Sequence, residues 1–152
     1  MQNLKFLNKK EIKNILDLIR KQWDCDAKLD YVFSMNEKGK IYIVNREISE
    51  IDLSKLRISS IGLYFGTLVE GSSLRLSIEG SQLVGPKAKK NVVELSEKEL
   101  KEWLKGIDID KDTKEKGFVI IRYKDDFIGC GKAVDKRILN YVPKARRISS
   151  SV

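Results

Sequence analysis

The sequence contains no histidine, two cysteines, two prolines and two methionines among 152 residues. Without histidine there is no Ser-His-Asp or Cys-His nucleophile, no imidazole base and no histidine-containing zinc site. Thiolate could come only from Cys25 and Cys130, and two isolated cysteines make neither a CxxC redox pair nor a four-cysteine zinc site. Both are read as reduced, buried, small hydrophobes. No run approaches the ~18 apolar residues of a membrane span, and Met1-Gln2-Asn3-Leu4-Lys5 lacks the order of a signal peptide. A cytoplasmic protein with no membrane partner is therefore expected.

Core-forming material is plentiful: 41% of residues are apolar and 34% charged. A chain of this size buries roughly 70% of the surface its unfolded form exposes, so neither metal nor disulfide is needed to hold it together. The 30 Lys and Arg outnumber the 22 Asp and Glu, for a formal charge of +8. The excess is local. Up to Pro86 there are 13 basic and 11 acidic residues, and from residue 87 onward 17 and 11. Within 129–152, Lys132, Lys136, Arg137, Lys144, Arg146 and Arg147 face a single acid, Asp135. An excess concentrated near one end suits a phosphate-binding face better than general solvation.

Asn8 and Glu11 have capping-box spacing, Leu7 and Ile12 that of a hydrophobic staple, and Ile12, Ile15, Leu16, Ile19 and Trp23 recur at helical period. They predict a helix over 9–23. Apolar runs at 29–35 and 41–44, separated by Asn36-Glu37-Lys38-Gly39, predict a hairpin. A helical turn near 52–56, a strand over 58–69 interrupted by Gly62 and Gly66, and a half-exposed strand through Leu74, Leu76 and Ile78 follow. Gly85-Pro86 and the cations Lys87, Lys89 and Lys90 place a boundary at 86–91, because proline disfavours helix before it and like charges repel. Those three lysines fit either a binding surface or a hydrated linker.

Beyond the boundary, Val92, Val93 and Leu95 read as a strand. Ser96 and Glu99 form a second capping box, Trp103 and Leu104 an inner face, and Gly106 a stop. After a polar loop at 108–116, strands are expected at 118–123, 127–134 and 137–142, joined by tight turns. A strand and helix followed by short strands suggest a small β-barrel.

Among the candidates for chemistry, Asp125-Asp126 and Asp24 with Asp26 read as solvated turn acids. Asp108, Asp110 and Asp112 lack the glycine and final glutamate of an EF-hand loop. Gly129-Cys130-Gly131 lies inside a strand, without the third glycine or following helix of a dinucleotide loop. It fits sharp coiling or close backbone approach better. Neither metal nor cofactor is expected, and no catalytic residue is assigned. The informative stretch is 132–147: Lys132, Arg137, Lys144, Arg146 and Arg147 could contact phosphates, and Asn140 and Tyr141 could contact unpaired bases. For Tyr141, packing in the barrel is the competing reading. Tyr64, Phe65, Trp23 and Trp103 are read as core.

The segment from Phe118 to Lys132, continuing through Leu139-Asn140-Tyr141-Val142-Pro143-Lys144-Ala145-Arg146-Arg147, resembles the PUA domain, an RNA-binding module, and most of all the version appended to RNA cytosine-5 methyltransferases. Gly62-Leu63-Tyr64-Phe65-Gly66 and Leu74 to Gly80 are similar to the domain preceding PUA in small ribosome-biogenesis proteins. The resemblance implies an α+β protein: a pre-PUA-like mixed α/β domain over 1–88, then a PUA-like β pseudo-barrel over 89–152. It places the RNA groove along Gly129, Gly131, Lys132 and the following basic strand. The methyltransferases carry a catalytic domain with a cofactor loop and reactive cysteines, which this chain lacks. The expected function is non-catalytic binding of rRNA or tRNA in ribosome biogenesis or RNA modification, with a modifying enzyme or pre-ribosomal particle as further partner. The alternatives are an RNA-modifying enzyme using Asp or Lys chemistry and an interaction module for an acidic protein.

Overall fold

The computed structural model describes residues 4–45 and 62–148. The turn expected near 52–56 and the start of the strand expected at 58 lie outside the described residues. In chain order, β1 (Lys5–Phe6) and α1 (Lys9–Trp23) precede β2 (Tyr31–Met35), β3 (Lys40–Asn45), β4 (Leu63–Val69), β5 (Ser73–Leu76) and α2 (Ile78–Val84). A 3-10 turn over Gly85–Lys87 leads to β6 (Val92–Glu94), α3 (Glu97–Leu104), β7 (Ile109–Asp110), β8 (Gly117–Tyr123), β9 (Asp126–Val134) and β10 (Arg137–Asn140). The first five strands form an antiparallel sheet in chain order. The other five form a mixed sheet in the order β6-β8-β9-β10-β7, with β6 parallel to β8, curled into a half-barrel.

Both longer helices begin as the sequence predicts. Asn8 Oδ1 accepts from the Glu11 N–H at 2.9 Å while the Glu11 carboxylate accepts from the Asn8 N–H at 3.1 Å. Ser96 and Glu99 repeat the device at 3.2 and 2.9 Å. These reciprocal bonds satisfy donors that the first helical turn leaves free. The β2–β3 hairpin closes where expected: Asn36 Oδ1 accepts from the Lys38 and Lys40 N–H groups at 2.9 Å each, and Gly39 takes a φ of +82°.

Four expectations are corrected. Ile78 does not extend a strand, because Ser77 Oγ accepts from the Gly80 N–H at 2.9 Å and starts α2 instead. That helix ends at Val84 and passes directly into the 3-10 turn that holds Pro86, with Gly85 in helical geometry. The clash that usually bars helix before proline involves the preceding Cβ, which glycine lacks. The space is filled by the Phe127 ring, against which a Cβ on Gly85 would collide. The loop at 108–116 contains β7, whose Ile109 is buried opposite Ile138. Finally, β10 stops at Asn140 because Asn140 Oδ1 captures the Val142 N–H at 2.7 Å and turns the chain.

The expected linker at 86–91 is docked: the Lys89 N–H donates to the Trp23 carbonyl at 2.8 Å, and Asn91 Nδ2 donates to the Gln22 carbonyl. Two apolar clusters lie on opposite faces of the second sheet. One joins Trp23, Phe33 and Phe65 to Phe118, Ile120 and Cys130, while the other gathers Trp103, Ile109, Val119, Ile121 and Ile138. β8 is thus buried on both faces, which is why it reads as an uninterrupted apolar run. No helix among the described residues is long and apolar enough to cross a membrane.

Candidate nucleic-acid interface

β8 and β9 place the glycine pair. A register shift between Ile121 and Arg122 makes β9 bulge, and there Gly129 adopts a φ of +151°, a conformation that side chains disfavour. Gly131 is buried: a Cβ on it would stand 2.7 Å from the Trp103 ring and 2.8 Å from the Leu139 carbonyl. Its role is to admit Trp103. Gly129 instead lines an open cleft between the two sheets, with a cavity volume of about 450 Å³.

Asn140 anchors the C-terminal segment. Its Nδ2 donates to the Trp103 and Ile107 carbonyls at 2.9 and 3.0 Å, and its backbone N–H donates to Asp108 at 2.8 Å. With Oδ1 holding Val142, the amide is engaged within the protein, and it positions the basic turn. Arg147 Nε donates to the Val142 carbonyl at 2.9 Å, its side chain lies over Gly106, and the Ile148 N–H donates to the Leu104 carbonyl at 2.9 Å. The chain from Pro143 to Ile148 is therefore fixed before any ligand arrives, with Lys144, Arg146 and Arg147 exposed on it.

The cations expected to act together are divided among several places. Arg146 pairs with Glu79 and lines the cleft together with Tyr141. Lys132 sits over the Phe118 ring at 5.6 Å and lines a neighbouring groove with Lys21 and Lys116. Phe118 bridges the two, because its ring lies 6.2 Å from that of Tyr141. Arg137, beside β7, is 3.5 Å from Asp110, and Lys144 has no ion-pair partner among the described residues.

Tyr141 is half-buried, and Arg75 covers its ring, with Cζ 4.6 Å from the centroid. Packing and surface roles thus combine in one side chain, with a cation already on its face. The sequence reading missed Arg75 and Lys40 as site residues, although Arg75 occupies the outward position between Leu74 and Leu76. Lys40 lies over the Tyr64 ring at 5.6 Å and also lines the cleft. Beside the cleft, burial pushes the Cys130 thiol up to about 12, so it stays protonated and unreactive. Burial raises the Cys25 thiol as well.

No curated protein matches the chain. Residues 90–148, from two residues before β6 to the end of the basic turn, match the family described as the methyltransferase RsmF PUA domain. The C-terminal part of this protein is a PUA domain of the RsmF-type methyltransferase kind.

Proposed function

We propose that this protein binds rRNA or tRNA during ribosome biogenesis or RNA modification and performs no chemistry on it, working beside a modifying enzyme or pre-ribosomal particle. PUA domains are generally RNA-binding modules, and the observation that carries the reading is the locked turn at the end of this one. A turn held by Asn140, Arg147 and the Leu104 carbonyl presents cations without first having to be ordered, so phosphate contact costs little conformational entropy. Lys132 and Lys144 are the assigned phosphate contacts, with Arg146 and Arg147 in support. Arg137, opposite Asp110, is a weaker contributor because its carboxylate neighbour offsets its charge. Tyr141 acts through the Arg75 stacked on it, and Asn140 and Gly131 shape the surface from within.

Crosslinking in cells followed by sequencing of the attached RNA tests the assignment. Enrichment of rRNA or tRNA is expected; an RNA profile matching total cellular RNA contradicts it. Incubating the purified protein with bulk RNA and analysing its nucleosides tests the absence of chemistry, since a new modified nucleoside would identify an enzyme.

A further inference from the structure

Resting on the RNA-binding reading, we propose that the cleft between the two sheets takes a single unpaired nucleotide, its base stacked on the Arg75 guanidinium and its phosphate held by Lys40 and Arg146. The cleft's volume, about 450 Å³, lies in the range of small-ligand sites. Its walls come from both sheets: Arg75 of the N-terminal sheet lies on Tyr141 of the C-terminal part at 4.6 Å, and Lys40, also of the N-terminal sheet, lies on Tyr64 at 5.6 Å.

A guanidinium is planar and weakly hydrated, so with one face against Tyr141 it offers the other to a second flat group. Unpaired bases stack on arginine planes in this way. Gly129 and Cys130 of β9 line the cleft opposite Arg75 without adding a charge to it. Three cations, Lys40, Arg75 and Arg146, line it against one carboxylate, Glu79, leaving an excess that suits a phosphate. Arg146 engages one Glu79 oxygen, and the other is available to accept from a base N–H. A base within a duplex is stacked on both faces and paired along its edge, so the cleft selects single strands, loops or flipped nucleotides.

The test uses the full chain and two labelled probes, an unstructured RNA decamer and a blunt RNA duplex of the same length, with affinities read by fluorescence anisotropy. Arg75→Ala is expected to weaken decamer binding by about tenfold and to leave duplex binding within about twofold. Arg75→Lys keeps the charge but not the plane, and is expected to fall with Arg75→Ala. Leu63→Trp, at an exposed position on the cleft wall, fills the space without removing a cation and is expected to reduce decamer binding selectively. Wild-type decamer affinity in Arg75→Lys, or in both Arg75→Ala and Leu63→Trp, overturns the cleft assignment while leaving RNA binding standing. Absence of wild-type binding to either probe overturns the reading on which it rests.

Discussion

Phe118 and Ile120 of β8 pack into the core shared with Trp23, Phe33 and Phe65, whereas Val119 and Ile121, which alternate with them, pack against Trp103, Ile109 and Ile138. The second core is built wholly from residues of the PUA domain, while the first needs both sheets. A domain that folded independently of its neighbour would present the Phe118 face to water. Here that face is where the two sheets meet, and Phe118 continues from the shared core to the Tyr141 ring at the edge of the cleft. The arrangement couples the basic turn to the N-terminal sheet, since Arg75 and Glu79 reach across to Tyr141 and Arg146.

The comparison can be broken most severely at its two tryptophans. Trp23 and Trp103 are each fully buried, one per core. Replacement of either by Ala should cost about 3–5 kcal/mol through lost burial and the cavity left behind. Trp23→Phe and Trp103→Phe are gentler, because neither indole N–H has a hydrogen-bond partner among the described residues. Each Phe variant leaves one fluorescent reporter in the other core. In denaturant, the two reporters should give coincident transitions because β8 serves both cores; separated midpoints contradict that coupling.

Next in size are changes at the seam between α3 and β9. Gly131→Ala should cost about 1–3 kcal/mol by overpacking Trp103. Asn140→Ala should cost a similar amount, about 1–3 kcal/mol, by leaving the Trp103 and Ile107 carbonyls without their donor. Thermal unfolding measures both, and a change within error in either would contradict the packing described. RNA affinity should also fall in Asn140→Ala, because the basic turn loses its anchor.

The smallest effects belong to the two capping boxes. Ser96→Ala and Asn8→Ala should each cost about 1 kcal/mol. Hydrogen bonding from the Asn8 N–H holds the Glu11 carboxyl below its ordinary value. Partial burial pushes Glu99 up, but the Ser96 N–H and Lys111 outweigh it, and its carboxyl also lies low. A carboxylate whose pKa is depressed by folding adds stability above its unfolded pKa and loses it as the pH falls toward its folded one. Acid titration of stability should therefore be shallower in Glu99→Gln than in the wild type, and an identical profile would contradict the role of this carboxylate.

Much of this was legible because its causes are local. Asn8, Glu11, Ser96 and Glu99 announce helix starts within four residues, and Asn36 to Gly39 specify their hairpin by the same short-range chemistry. α2 was missed because Leu74, Leu76 and Ile78 continue a period of two into a helix too short to establish its own, and only Ser77 marks the change. β7 has two residues and owes its strand geometry to pairing with β10. The basic turn was visible as composition, but its division was not. Glu79, Arg75 and Lys40 enter the site across the sheet interface from more than sixty positions away, and no spacing rule reaches so far. Asn140 looked like a base contact because its carbonyl partners on α3 and the loop after it are also remote in sequence, 37 and 33 positions away.

The most direct measurement is the slope of log affinity for single-stranded RNA against log salt concentration, in the wild type and in a Lys132→Gln, Lys144→Gln double variant. Each phosphate contact on a single strand contributes about 0.7 to that slope. The account predicts weaker binding and a slope shallower by about 1.4 if both lysines meet phosphates. An unchanged slope with unchanged affinity would show that the RNA lies elsewhere on the protein and contradict the face assigned here.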